Sequence, residues 1–229
     1  MSRRSRAASA ESQEQRASLM RLVSLLLQYP DAELLAARPQ LAAAARKLPA
    51  SPAREPLTEF TAWFADAEPM GLALDYVDTF DLRRKCSLYL TYYLHGDTRR
   101  RGMAMLSLKH RYRVAGLTPP EGELPDYLPV VCEFAAIAGP GDGEAPLRQH
   151  RKGLELIRAG LRGRGSRYAL VLDALCAVLP ALSEEELGGV SDLALAGPPV
   201  ELVGLAAGLP GYAAVTGDDG ANAGREGRR

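Results

Sequence analysis

Few residues in this chain can hold a metal or form a disulfide. Its three cysteines, Cys86, Cys132 and Cys176, are far apart and odd in number, with no CxxC pair among them. Its three histidines form no HxxxH or HExxH pattern. Neither a metal centre built from protein ligands nor a disulfide framework is expected, and three thiols in apolar runs read as buried hydrophobes in a reducing compartment. Aromatic residues are 6% of the 229, and runs of β-branched residues are few, which favours helix over sheet. Charge of one sign is also missing: 28 basic residues balance 28 acidic ones, so a long polyanion is not the expected partner. No apolar run approaches the ~18 residues of a membrane span. Ser2-Arg3-Arg4 looks superficially like a twin-arginine export signal, but Glu11, Glu14 and Arg21 interrupt the region that would have to be apolar. Phosphate-binding glycine loops and a GxSxG elbow are absent. The expectation is a cytoplasmic, helical, non-catalytic protein.

What is present is helical periodicity with clear punctuation. Residues 1–15 are polar and aperiodic and read as a disordered tail. Leu19, Leu22, Val23 and Leu26 then share one helix face, closed by Pro30. Asp31 can cap a second helix, which Pro39 breaks or kinks. Leu57, Phe60 and Phe64 mark a further amphipathic helix, and Pro69 opens the next. Later helices are signalled over 126–138, by Leu147, Leu154, Ile157 and Leu161, over 168–179, and after the Ser183–Glu186 capping box. Residues beyond Tyr212 are rich in Gly, Asp and Arg and read as a second disordered tail, 213–229.

Within the stretch from Tyr76 to Gly102 the middle, Cys86 to His95, is apolar on almost every side when placed on a helix, and the stretch so reads as the central helix of the domain. An acidic lead-in (Asp75, Asp78, Asp81) precedes it, and Asp97 is placed to cap the helix that follows. In that following helix Met103, Leu106, His110 and Val114 line one side, while Met105, Leu108 and Tyr112 line the other. Two opposed apolar stripes predict a helix sandwiched between neighbours, with Lys109 and Arg111 in the seams. The arginine cluster Arg99–Arg113 supports an alternative function as a helical nucleic-acid-binding regulator, although its charges scatter around the wheel instead of forming one exposed reading face. The three acidic residues read as a solvated face, and Tyr89, Tyr92 and Tyr93 as core aromatics or the walls of a peptide groove.

The segment YVDTFDLRRKCSLYLTYYLHGDTRRRG, followed by YRVAGL and then ELPDYLPVVCEFAA, closely resembles the NarJ family, the assembly chaperones of respiratory nitrate reductase, related to the TorD/DmsD redox-enzyme maturation proteins. The resemblance runs from about Leu19 to Leu205, includes the late GPPVELVGL, and leaves both tails outside. It implies an all-α fold: one helical bundle of the TorD/NarJ-like type over 16–212, with disordered tails. It implies a cytoplasmic chaperone, not an enzyme, that binds the apo catalytic molybdenum subunit, keeps it competent for molybdenum cofactor insertion and prevents premature membrane docking. The partner would be held through its N-terminal leader-like segment plus a second contact. No cofactor would be bound stably, and neither nucleic acid nor a membrane would be a stable partner. The implied mode is a helix in a groove. Tyr89, Tyr92 and Tyr93 would shape that groove, Asp75, Asp78, Glu123 and Asp126 would supply negative charge, and Tyr127 would border it; no metal or catalytic residues are implied.

Overall fold

Nothing between Arg3 and Leu26 breaks a helix, because Ala, Arg, Glu, Gln and Leu lose little freedom in helical backbone. In the computed structural model, which describes residues 3–119 and 121–199, this stretch is one helix, α1 (Arg3–Leu26). The tail expected at 1–15 is thus helical from Arg3 onward; the tail expected at 213–229 lies outside the described residues. Asp31 caps α2 (Ala32–Ala36), its carboxylate accepting from the Leu34 N–H at 2.8 Å. Pro39 sits in the first turn of α3 (Arg38–Lys47), where a missing N–H costs nothing, so it starts a helix instead of kinking one. Pro69 opens α5 (Pro69–Tyr76) in the same way, after α4 (Arg54–Asp66).

The core forms where these helices meet α8 (Leu128–Ala138), α10 (Arg151–Gly163) and α11 (Ala169–Val178). Helix α1 lies along α8, α4 packs on α3 and α11, and α10 packs on α11. Residue faces agree with the periodicity: Leu154, Ile157 and Leu161 of α10 are buried together. One buried polar bond crosses the α1–α8 contact, from the Ser24 hydroxyl to the Pro129 carbonyl at 2.8 Å. Tyr168, fully buried, gathers an aromatic cluster, with ring centroids 4.8 Å from Phe80, 5.2 Å from Phe60 and 5.9 Å from Tyr76. Among the described residues there are twelve α-helices, and none is long and apolar enough to cross a membrane.

The central helix expected between Tyr76 and Gly102 is not there. Helix α5 ends in a π turn (Val77–Asp81), followed by a 3-10 turn (Arg84–Cys86), an irregular stretch, and the short α6 (Tyr92–His95). Burial explains the misreading. Cys86, Leu88 and Leu90 are buried while Ser87 and Tyr89 are half-buried, an alternation with period two. An irregular segment packed on both sides is as apolar all round as a buried helix. Cys, Ser, Thr and Tyr are also weak helix formers.

Helix α7 (Arg99–Val114) corrects two further expectations. Its N-cap is Thr98, and Asp97 instead pairs with Arg101 at 3.0 Å. Among the described residues it is not sandwiched: Leu108 and Tyr112 are buried against Val130 and Phe134, whereas Met103, Leu106 and Val114 face outward.

Close packing holds the 84–86 turn against α10. A Cβ built on Gly160 would stand 2.8 Å from the Lys85 carbonyl oxygen and 3.3 Å from the Cys86 sulfur. The nearer obstacle is backbone and cannot swing aside. Gly160→Ala is therefore expected to lower unfolding free energy by about 1–3 kcal/mol in a urea titration. A neutral or stabilising result would mean that the turn does not rest on α10.

Candidate functional site

The two most distinctive stretches of the sequence are clasped together by backbone. The Leu90 N–H donates to the Asp126 carbonyl at 2.9 Å, and the Leu128 N–H donates to the Leu88 carbonyl at 2.8 Å. Between them Tyr89 and Tyr127 form an antiparallel bridge, with their rings 5.7 Å apart. Successive residues in extended backbone face opposite ways. The two tyrosines therefore border one side, while Asp126 turns inward and is 0% exposed. Its carboxylate accepts from the Thr91 N–H at 3.3 Å, from the Thr91 hydroxyl, and from the Arg101 guanidinium at 3.4 Å. Arg101 also lies over the rings of Tyr89 and Tyr92, at 5.7 and 5.9 Å.

On the tyrosine side lies a cleft of about 280 Å³ lined by Tyr29, Tyr76, Phe80, Asp81, Leu88, Tyr89, Glu123 and Tyr127. Its floor is fixed by a phenol chain. The Tyr76 hydroxyl donates to the Leu27 carbonyl at 3.0 Å, so the 2.9 Å bond to Tyr127 must be donated by Tyr127. Burial pushes the Tyr127 phenol up to about 12, and raises that of Tyr76 further. The π turn, an insertion often found at functional sites, carries Phe80 and Asp81 to the rim. Asp81 and Glu123 are exposed, and neither has an ion-pair partner among the described residues. The cleft thus offers aromatic walls, phenol oxygens and two unpaired negative charges. That chemistry suits a segment with apolar side chains on one side and basic ones beside them.

A second groove, of about 290 Å³, lies between the 84–86 turn, α6, α10 and α12 (Glu184–Ala196). Tyr92, Tyr93, Leu156 and Leu193 make it apolar, and its charged residues, Arg84 and Lys85, are basic.

The eight residues singled out in the sequence consequently separate. Tyr89, Glu123 and Tyr127 line the acidic cleft. Tyr92 and Tyr93 line the basic groove, and Tyr93 spends its hydroxyl on the Ser87 carbonyl at 2.9 Å. Asp126 lines neither: it is buried and engaged by the chain's own Arg101. Asp78 pairs with Arg83 at 3.3 Å and with Arg164, whose hydrogen bond holds its carboxyl below the ordinary range. Burial raises the Asp75 carboxyl, against the pull of Arg164. Tyr29, Tyr76, Phe80, Asp81 and Leu88 complete the cleft without having been singled out as partner-binding. Only Asp81 carried a usable signal, as the last of three spaced carboxylates; Tyr29 lies in a loop with no pattern of its own.

A match to a known protein family spans these segments. Residues 46–172, more than half the chain, match the family described as nitrate reductase delta subunit. The chain is 39% identical over 153 residues to the nitrate reductase-like protein NarX of Mycobacterium tuberculosis, a match covering 67% of this chain but only 23% of that protein's length. It is 35% identical over 157 residues to the nitrate reductase molybdenum cofactor assembly chaperone NarJ of Escherichia coli K12, covering 67% of this chain and 66% of that one. In fold it resembles a crystal structure from Archaeoglobus fulgidus, of a protein described as a redox enzyme maturation protein, with a TM-score of 0.55 at 23% identity over 70% of this chain and 91% of that one. Clasped motifs, helical fold and matched residues agree: the chain is a member of the nitrate reductase delta subunit family.

Proposed function

We propose that this protein is a cytoplasmic assembly chaperone for a respiratory nitrate reductase. It binds the apo catalytic molybdenum subunit, keeps it open for molybdenum cofactor insertion and delays membrane docking. It works by binding and not by turnover, and the cofactor belongs to the client. Family membership supports the class of function, and the name of the Escherichia coli relative supports the client.

The observation that carries the binding mode is the cleft itself: aromatic walls next to Asp81 and Glu123, both exposed and without an ion-pair partner among the described residues. A basic amphipathic helix from the N-terminus of the client would lay its apolar stripe against Tyr89, Tyr127 and Phe80, with its arginines toward the two carboxylates. Calorimetric titration of a peptide of the client's N-terminal segment tests this. Glu123→Lys and Tyr89→Ala are each expected to weaken binding by about tenfold or more, the effect of losing roughly 1.4 kcal/mol. Tyr92→Ala, in the basic groove, should change it less than about twofold on the same scale. Loss on Tyr92→Ala with no effect of Glu123→Lys would move the peptide to the groove beside α10 and refute the cleft.

A further inference from the structure

Helix α7 carries an apolar line that no part of the described chain covers. Met103, Leu106 and Val114 are 68%, 59% and 75% exposed. At about 100° per residue, they and His110 fall within an arc of roughly 80°. Isolated exposed apolar residues are ordinary. Here they are aligned at i, i+3 and i+11 on a helix that is firmly held from behind. The Tyr112 hydroxyl donates to the Pro125 carbonyl at 2.7 Å, and Arg101 reaches Asp126. Lys109 and Arg113 border the line on one side, Arg100 and Arg111 on the other, Arg99 falls within the arc at its N-terminal end, and α7 contains no acidic residue.

We propose that this outward face of α7 is a docking seam for one acidic amphipathic helix of the client, separate from the aromatic cleft. The proposal rests on the chaperone reading for the identity of the client. None of the outward residues lines the cleft. Width selects a helix: a line one side chain broad, flanked by charge on both sides, is what a single partner helix covers. A bilayer surface would call for a broader apolar arc with aromatic residues at its edges, and this face has none. A second copy of α7 would set basic borders against basic borders. Nucleic acid would use the borders but strand the apolar centre against phosphate. Charge complementarity therefore leaves an acidic partner helix.

The test uses the full chain and purified cofactor-free catalytic subunit, with the N-terminal peptide of that subunit titrated in parallel. Leu106→Glu and Lys109→Glu/Arg113→Glu alter exposed side chains only, and circular dichroism verifies that each variant folds. Both are expected to weaken binding of the whole subunit by roughly tenfold or more and peptide binding by less than about twofold. Unchanged affinity for the subunit overturns the seam while leaving the cleft intact. So does an equal loss for subunit and peptide. Wild-type protein that binds neither overturns the chaperone reading, and the seam's occupant with it. Binding of wild type, but not Leu106→Glu, to vesicles rich in anionic phospholipid, or a dimer abolished by that substitution, would replace the client helix with a membrane or a second copy and refute the proposal. Steeply salt-dependent binding to duplex DNA, lost on Lys109→Glu/Arg113→Glu, would do the same.

Discussion

Asp126→Ala is expected to lower the free energy of unfolding by about 3–5 kcal/mol, the range for breaking a buried ion pair from one side. The carboxylate is fully buried and gathers the Thr91 N–H, the Thr91 hydroxyl and the Arg101 guanidinium. Removing it strands two donors on Thr91 and a cation whose side chain is only 15% exposed. Arg101 keeps Asp97, exposed and weak, so the lower part of that range is the better guide. Asp126→Asn keeps an acceptor for Thr91 and should cost less, about 1–3 kcal/mol. Urea titration of both variants measures the difference. A loss below about 1 kcal/mol for alanine, the worth of one ordinary hydrogen bond, would mean that this carboxylate is not buried as described. With the large loss, weak client binding by Asp126→Ala says nothing of direct contact, because the same substitution loosens the clasp behind the cleft.

Acid should weaken the fold through His150. Its imidazole is 8% exposed, and burial, reinforced by His95 and opposed by Asp126, pushes it down to about 4. The unfolded chain takes up a proton near 6.5, the folded chain only near 4, so between those values protonation favours unfolding. Stability from the neutral ring is fully present above 6.5, falls as pH drops toward 4, and is level below it. The interval corresponds to about 3 kcal/mol. His95, lowered by burial and then by Arg100, adds to the same trend. Unfolding measured from pH 7 to pH 4 should show a shallower decline in His150→Gln. Parallel profiles for wild type and variant would sink the assignment.

Local chemistry was the part of the fold that the sequence displayed well. Asp31, Pro69 and Ser183 each announce a helix start with residues that act within one turn, and each does so in the structure. The alternation at Cys86–Leu90 is harder to see, because a segment buried on both sides has no polar phase to reveal its period. The α7 stripes were visible, but which would be covered depends on α8, whose Val130 and Phe134 select Leu108 and Tyr112. The cleft was legible only in part. Tyr89 and Tyr127 stand in recognisable segments, while Tyr29 joins them through tertiary packing on Tyr76, at 5.5 Å between rings. Asp126 shows the limit most clearly: a carboxylate in a distinctive motif looks like a contact for a basic partner, and backbone direction turns it toward Arg101 instead.

The burial of all three thiols gives the chain an internal clock. Cys86 ends the turn that rests on α10, Cys132 lies in the middle of α8, and Cys176 on α11 beside Arg151. Burial raises each thiol, so the reactive thiolate is scarce as well as hidden. An alkylating reagent can therefore act on each only as often as its own region opens. Three labelling rates from one unmodified protein read out three separate motions: of the turn on α10, of α8 and of α11.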